Sequence, residues 1–286
     1  MRGGVNYLYI LEVTRGKKML LTGSIVIFGF MALAVFAPFI APYDPDDVKV
    51  EERLLPPGEH YLMGTDGFGR DIFSRVVFGA RYSLFLSLVV VSINLLLGLM
   101  VGSIAGYFGG LVDELIMRVV DILLAFPNII LALCIVGVLG PSVQNLILAL
   151  VALGWVSYTR VSRGLVLSIK EQGFIDAAKV LGGRDMYIIM RHIIPNAFPP
   201  LLVLATLHVS HTILSIAALS FLGLGVQPPT PEWGAMLSEG KQFVFTHPHV
   251  MIFPGLAVTL SVLSFNLLGE GLRDILDPRA REVLNV

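Results

Sequence analysis

Cysteine and charge are both scarce in this chain of 286 residues. The single cysteine, Cys134, excludes a disulfide within the chain, and its place in an apolar stretch is typical of a packing residue. Only 14% of the residues are charged, and the net charge at pH 7 is −1. A chain without an excess of positive charge lacks the basic surface that nucleic-acid binding needs, so we expect no nucleic-acid partner.

Two sequence patterns of enzymes are absent as well. There is no Gly-x-x-x-x-Gly-Lys-Ser/Thr phosphate loop, so the chain has no recognisable means of binding ATP. There is no His-Glu-x-x-His pattern either, which argues against a zinc protease within the membrane. We therefore expect a protein that is not itself an enzyme, binds no cofactor and takes any ATP-driven motion from a partner.

Apolar residues, by contrast, make up 55% of the chain, and the mean hydropathy is +0.80. This composition is typical of an integral membrane protein. A helix needs about 20 apolar residues to cross the hydrocarbon core. Six stretches approach that length, and they predict an all-α integral membrane protein with six transmembrane helices, at 20–40, 82–106, 114–139, 143–161, 199–224 and 250–269. Pro127 and Pro254 do not exclude their spans, because neighbouring helices can satisfy the freed backbone groups.

The lysines and arginines predict the orientation of these helices. With the N-terminus inside, fourteen of the twenty fall in segments on the inner side. Cytoplasmic segments of membrane proteins carry such an excess, so both termini are predicted to be cytoplasmic. The first stretch is too long for the apolar core of a signal peptide and is interpreted as a retained anchor. The chain then divides into a cytoplasmic tail 1–19, a first helix 20–40, an extracytoplasmic loop 41–81, a core 82–270 and a cytoplasmic tail 271–286.

A polar segment at 162–198 lies between two apolar stretches, on the predicted cytoplasmic side. Within it, small and apolar residues recur at spacings of three and four, which places them on one face of a short helix: Phe174, Ala177, Ala178 and Leu181. Asp176 lies on another face, and Gly182 permits the left-handed backbone that ends a helix. The two alanines allow close approach by another surface, so we predict a docking helix. The alternative is an interfacial helix that only orders the loop.

The predicted extracytoplasmic loop contains a stretch rich in glycine and charge. Its residues include Gly64, Thr65, Asp66, Gly69, Arg70 and Asp71. Thr65 and Asp66 are residue types that cap helix N-termini, so a short helix is predicted at about 67–80. On these grounds alone, a well-capped surface helix is the simpler interpretation. Further along the chain, Trp233 follows a proline-rich run and is expected to anchor the membrane interface.

Three charged residues, Glu114, Arg118 and Asp121, share one helical face near the inner end of the third predicted span. Ionisable groups at membrane depth usually face protein, so these residues could form a cluster that links moving helices. A fixed ion pair, or a place in the headgroup layer, is the alternative. His208 and His211 also share a helical face, which leaves metal transport open because imidazole binds nickel and similar ions. We assign no residue as a ligand of a resident metal.

These motifs resemble those of a known family. The stretch 173–182 resembles the coupling segment of ABC-importer permeases, in which a Glu-Ala-Ala triplet precedes a glycine, with Asp176 in place of the usual glutamate. The pattern Gly-Thr-Asp-x-x-Gly-Arg-Asp at 64–71 resembles the signature of permeases for dipeptides, oligopeptides and nickel. The stretch 221–237 is similar to a further signature of that family.

The resemblance implies the type I permease fold of ABC importers, in the inner membrane of a prokaryote, with alternating access as the mechanism. It implies a second homologous permease, two cytoplasmic ABC ATPases that bind ATP and Mg²⁺, and an extracytoplasmic substrate-binding protein. The loop at 64–71 would face that binding protein. The ATPase-coupling residues would be Phe174, Asp176, Ala177, Ala178, Leu181 and Gly182.

The substrate stays open at this level. A di- or oligopeptide is the first choice, with nickel or an oligosaccharide as alternatives within the same family. A secondary carrier driven by an ion gradient, with Glu114, Arg118 and Asp121 as its relay, is the alternative from another class. Nothing positive in the sequence supports a purely structural membrane scaffold.

Overall fold

The computed structural model describes residues 3–276, with side chains from Gly16 to Ile275. Within that range the chain is helical, and its one isolated β-bridge joins Thr65 to Asp71. The helices are α1 (Gly3–Val35), α2 (Ala37–Ile40), α3 (Ile72–Phe108), α4 (Gly110–Leu124), α5 (Asn128–Leu139), α6 (Val143–Lys170), α7 (Gly173–Val180), α8 (Asp185–Ile188), α9 (Ile194–Phe221), α10 (Trp233–Gly240) and α11 (His249–Leu276). A π-helical turn, Ile189–Ile193, connects α8 to α9. The all-α prediction is confirmed.

Among the described residues, five helical segments are long and apolar enough to cross a membrane, and a sixth is obtained if one bent pair counts as a span. The shortest of the five has 20 residues, which suffices for the hydrocarbon core. The five segments are Gly16–Val35, Ile72–Phe108, Val143–Lys170, Asp185–Phe221 and His249–Ile275.

The third predicted span, 114–139, is not one continuous helix. It comprises α4 and α5, which are bent by 84° at a short break. Pro127 lies in this break and explains it, because a proline drives the residue before it, Phe126, out of the helical conformation. Pro254, in contrast, lies inside α11 without ending it. The sequence pattern places both prolines within spans and does not distinguish their effects.

The second predicted span also begins earlier than expected. α3 is one uninterrupted helix, so the short helix predicted at about 67–80 is not a separate element. Asp71 caps α3, because its Oδ2 accepts hydrogen bonds from the backbone N and the Oγ of Ser74 at 2.8 and 2.6 Å. The predicted caps, Thr65 and Asp66, lie in the turns before the helix instead.

The chain forms two compact units, and α3, α5, α6 and α9 each contribute residues to both. One unit comprises the described residues up to Leu88, then Ile135–Ile147 and those from Thr206 onward. The other comprises Val89–Cys134 and Leu148–Ala205.

In the first unit, α1 packs lengthwise against α11. A glycine on each helix makes the approach close. A Cβ at Gly23 of α1 would lie 2.7 Å from the Ser264 carbonyl oxygen, and one at Gly271 of α11 would lie 2.6 Å from the backbone nitrogen of Leu20. Small residues at such crossings are typical of packing between membrane helices.

In the second unit, α3 packs against α6 through three glycines spaced four residues apart, namely Gly98, Gly102 and Gly106. A Cβ at Gly98 would lie 2.3 Å from the Cβ of Tyr158, and one at Gly102 would lie 2.5 Å from the Thr159 carbonyl oxygen. Since α6 occupies the space that larger side chains would need, these glycines are what allows the two helices to lie so close.

Candidate functional site

The short helix predicted in the polar segment between two apolar stretches is present as α7. Gln172 precedes it in an extended conformation, and Ile175 within it is completely buried. A helix of eight residues is not stable by itself in water. Burial of Ile175 and the contacts of the flanking residues therefore hold α7 in place.

Most of the predicted docking face of α7 is exposed. Phe174 is 41% exposed, and Leu181, directly after the helix, is 87% exposed. Ala177 is exposed and Ala178 is half-buried. Val180, which is not part of the predicted docking face, is also 87% exposed. Apolar side chains left uncovered in one place are typical of a surface that binds a partner.

Asp176 and Gly182 have distinct structural roles in this segment. Asp176 is exposed and lies 3.6 Å from the Nζ of Lys179, an ion pair that adds little stability in water. Gly182 has a φ of +81°, the left-handed conformation in which glycine ends a helix without strain. The six predicted coupling residues thus lie together in one short segment, and their role in coupling stays a prediction.

A second candidate site is a cap formed by residues 41–71 and 225–248, both in the first unit. Four largely buried charged side chains join these stretches to the start of α3. Arg70 donates from Nε to Asp66 Oδ2 and from Nη2 to Glu239 Oε2, each at 2.7 Å. Arg75 donates to the same Glu239 oxygen at 3.2 Å. Acidic and basic groups alternate, so each buried charge has a partner of opposite sign.

The Glu239 carboxyl adjoins a cavity of about 240 Å³ within the cap. Burial raises the pKa of this carboxyl above its ordinary value, and the ion pairs with Arg75 and Arg70 oppose that rise. Asp66, Arg75 and Glu239 line the charged side of the cavity, and Phe68 lines it with a ring that is 52% exposed.

The loop residues predicted to face a binding protein are buried, namely Gly64, Thr65, Asp66, Gly69, Arg70 and Asp71. They hold the cap together. The Oγ1 of Thr65 accepts a hydrogen bond from the backbone nitrogen of Leu55 at 2.8 Å. Gly69 has a φ of +80°, and a Cβ there would lie 1.8 Å from the Lys49 carbonyl oxygen, so only glycine fits. Phe68 is the exposed side chain of this stretch, and the contact with a binding protein stays a prediction.

Trp233, which was expected to anchor the membrane interface, is instead completely buried in the first unit. Its indole N–H donates a hydrogen bond to the Val76 carbonyl oxygen at 3.0 Å. Its ring meets that of Phe30 edge to face, with centroids 5.8 Å apart. Glu232, the preceding residue, caps α10 by accepting a hydrogen bond from the Ala235 nitrogen at 3.0 Å. Trp233 therefore ties α10 to α1 and α3.

The predicted charge cluster is divided between two separate interactions. Arg118 lies 3.8 Å from Glu114 on the same helix, and both side chains are exposed. Asp121 pairs instead with Arg160 of α6, at 2.5 Å. Within the second unit, only Asp121 of the three therefore links α4 to another helix in the described part of the chain.

A second link between α4 and α6 was not predicted. Both carboxylate oxygens of Asp113 accept hydrogen bonds from the Arg163 guanidinium, each at 2.5 Å. This bidentate geometry is the strong form of the pair. Asp113 was visible in the sequence, but its partner lies 50 residues further on. Periodicity within one helix identifies a face and says nothing of the partner on another helix.

Two pairs of histidines are close in space, the predicted pair His208 and His211 and a second pair, His247 and His249. The rings of His208 and His211 have centroids 6.4 Å apart, and those of His247 and His249 lie 6.0 Å apart. Across residues 16–275, whose side chains the structure describes, no three or more His, Cys, Asp or Glu side chains are grouped so that they could hold a metal ion.

A family profile described as "binding-protein-dependent transport system inner membrane component" matches residues 98–282. The chain belongs to this family. A second profile, described as the N-terminal TM domain of oligopeptide transport permease C, matches residues 12–57 of the permease. The permease is therefore an inner-membrane component of a transport system that depends on a binding protein, and its family is one of transport proteins rather than enzymes.

Individual relatives are similar over most of the permease. It is 45% identical over 265 residues to a dipeptide transport system permease protein of Alkalihalophilus pseudofirmus, with 93% of this chain and 87% of the relative covered. It is 44% identical over 268 residues to a glutathione transport system permease protein of Escherichia coli O6:K15:H31, with 93% and 88% covered. A protein of Escherichia coli K12 named "probable D,D-dipeptide transport system permease protein" is 39% identical over 266 residues, with 93% and 89% covered.

Proposed function

We propose that this permease forms half of the path through which an ATP-driven importer carries a di- or oligopeptide into the cell. The relatives are named for transport of dipeptides, glutathione and D,D-dipeptides. Glutathione is itself a tripeptide, so the three names share one substrate class. The binding protein on which the family depends would deliver the peptide.

The exposed apolar face of α7 is the observation that carries the ATP-driven part of the proposal. Phe174 and Leu181 are uncovered, although the burial of Ile175 holds the helix in place. Covering apolar surface stabilises a complex by about 25 cal/mol per Å². The partner that covers this face would be one of two cytoplasmic ABC ATPases, which bind ATP and Mg²⁺. Closure of the ATPase pair would then move α7 and the helices connected to it.

The remaining parts of the assembly follow from the same proposal. A second homologous permease would supply the other half of the path. The excess of lysine and arginine in the segments around α7 supports a cytoplasmic position for this helix and for both termini. The cap would then lie on the outer side, where it would face the binding protein.

Purification of the permease from its native membrane, with identification of every chain that accompanies it, tests the assembly. Two ATPases, a second permease and a binding protein are expected. In liposomes, the purified complex should take up radiolabelled dialanine only when ATP is supplied. Uptake by the permease alone, driven by an ion gradient without ATP, would contradict the proposal and favour a secondary carrier.

Competition experiments test the substrate class separately. Excess unlabelled trialanine should reduce uptake of radiolabelled dialanine, whereas Ni²⁺ and maltotriose should not. The binding protein that accompanies the permease should bind dialanine in calorimetry. Binding of Ni²⁺ or maltotriose without any binding of peptide would overturn the proposed peptide substrate and leave the proposed ATPase partners unaffected.

A further inference from the structure

Tyr107 lies at the end of α3 and contacts both ends of the α7 segment, which comprises residues 170–185. Its hydroxyl donates a hydrogen bond to Asp185 Oδ1 at 2.7 Å, and Asp185 is the first residue of α8, after α7. Its carbonyl oxygen accepts a hydrogen bond from Lys170 Nζ at 2.6 Å, and Lys170 is the last residue of α6, before α7. The same Nζ lies 5.6 Å from the centre of the Tyr107 ring.

Tyr107 is itself held firmly. Its side chain is buried, and its ring packs edge to face on that of Phe108 with centroids 5.3 Å apart. Gly106, the residue before it, packs on α6, where a Cβ would lie 3.0 Å from the Arg163 carbonyl oxygen. The acceptor of its hydroxyl is a carboxylate, which makes this hydrogen bond stronger than one between neutral groups. Tyr107 thus joins α3, α6 and both ends of the α7 segment.

We infer that Tyr107 is a positioning residue for coupling, which makes α7 move as one body with α3 and α6. The inference rests on the proposed docking of an ATPase at α7. Without the hydroxyl, the connection 181–184 would be free to bend where α7 leads into α8. Because a hinge absorbs displacement, a push on α7 would then reach the membrane helices only in part. ATP would be hydrolysed without a matching amount of transport.

Hydrogen exchange on the full-length permease in lipid nanodiscs tests the mechanical part. Tyr107→Phe removes the hydroxyl and keeps the ring. Amides in α7 and α8 should exchange about tenfold faster than in the wild type, whereas those in α11 should not change. Tyr82→Phe is the matched control on the same helix, because the Tyr82 hydroxyl makes no hydrogen bond among the described residues. Unchanged exchange in Tyr107→Phe would overturn the inference.

Coupling is measured on the complex with its partner subunits, as the ratio of ATP hydrolysed to dialanine transported. Tyr107→Phe should raise this ratio severalfold, with assembly and the rate of ATP hydrolysis retained. Tyr82→Phe should leave the ratio at the wild-type value. Faster exchange in α7 with an unchanged ratio would mean that the hydrogen bond only stabilises the fold, and this result would also overturn the inference.

A double-mutant cycle with Asp185→Ala identifies the hydrogen bond as the cause. If Tyr107 acts through Asp185, the ratio of ATP hydrolysed to dialanine transported should be no higher in the double variant than in the single variant with the higher ratio. Effects that multiply would show independent roles and contradict the inference. Failure of the wild-type complex to transport dialanine would count against the proposed substrate class alone, because hydrogen exchange is measured without dialanine and still tests whether Tyr107 holds α7.

Discussion

Glu239 and Arg75 lie 164 residues apart in the chain, yet the carboxylate of one accepts a hydrogen bond of 3.2 Å from the guanidinium of the other. The Arg75 side chain is 1% exposed and that of Glu239 is 16% exposed. Arg70 donates to the same carboxylate oxygen at 2.7 Å. A single glutamate of α10 therefore pairs with two arginines that flank the start of α3.

Replacement of Glu239 by glutamine should destabilise the cap strongly. Both guanidinium groups would stay buried with Asp66 as their remaining shared partner, so the loss should approach, from below, the roughly 3–5 kcal/mol that breaking a buried ion pair costs. The midpoint of thermal unfolding of the purified permease in detergent should fall. Asp47→Asn is the control, because its pair with Lys49, at 3.9 Å, is exposed and should not change the midpoint. Equal midpoints for Glu239→Gln and the wild type would show that the network does not hold the cap.

Gly98→Ala should disturb the packing of α3 on α6. The added Cβ would lie 2.3 Å from that of Tyr158, so the helices must shift, and such overpacking costs about 1–3 kcal/mol. Gly164→Ala on α6 is the matched control, since nothing lies within 4 Å of the added atom. Alanine there should stabilise the helix by up to about 1 kcal/mol. If Gly98→Ala and Gly164→Ala moved the thermal unfolding midpoint in the same direction by the same amount, close packing through Gly98 would be contradicted.

Bulky substitutions in the α7 segment should uncouple transport from ATP hydrolysis without preventing insertion. Tryptophan at Ala177 would hold a docked partner away from the exposed face. At Gly182, where φ is +81°, a β-branched valine would be strained and would shift the end of the helix. Uptake of dialanine by Ala177→Trp and Gly182→Val should fall severalfold at an equal amount of permease in the membrane, with ATP hydrolysis retained.

Two further variants serve as the comparison in that experiment. Asp176→Glu keeps the acidic group, which the resemblance to the coupling segment favours, and should be milder than Asp176→Lys. Normal uptake by Ala177→Trp and Gly182→Val at normal expression would exclude a coupling role for this segment.

Acid should remove one contribution to the stability of the cap. The Tyr61 hydroxyl donates a hydrogen bond to the Glu52 carboxylate, and this bond lowers the pKa of Glu52 below its ordinary value of 4.5. A carboxyl whose pKa is lowered by folding stabilises the protein above its ordinary pKa, and this stabilisation is lost as the pH falls through the lowered value. At neutral pH, Tyr61→Phe should therefore unfold at a lower temperature than the wild type. This difference in unfolding temperature should shrink in acid below pH 4.5.

Tyr43→Phe is the matched control for that pH dependence. The Tyr43 hydroxyl donates to the carbonyl oxygen of His60 at 3.1 Å, and a backbone carbonyl does not titrate in this range. Its deficit in unfolding temperature should stay constant with pH. A deficit of Tyr61→Phe that is equally constant would show that the Glu52 carboxylate is not the group responsible.

Local patterns predicted where helices form better than they predicted the contacts between those helices. The spacing of Phe174, Ala177 and Leu181 predicted α7, because helical period is a property of neighbouring residues. The same reasoning placed Glu114, Arg118 and Asp121 on one face but could not tell that Asp121 alone of the three pairs with α6. Tryptophan is a residue type that often anchors a membrane interface, and only the neighbours of Trp233 in space show that it is buried.

The sequence by itself determined that this protein is helical and membrane-spanning, where its apolar segments lie, and that a short helix forms within 173–182, and the resemblance of its motifs implied a permease. Composition, apolar length and helical period are read from adjacent residues, so they need no tertiary information. The tertiary structure alone decided that the charged loop motif is a buried scaffold, that Glu239 binds two arginines, and that Tyr107 joins the ends of the α7 segment. Those contacts join residues up to 169 positions apart, as in Arg70 and Glu239, and a partner that distant has no signal in the local pattern of either residue.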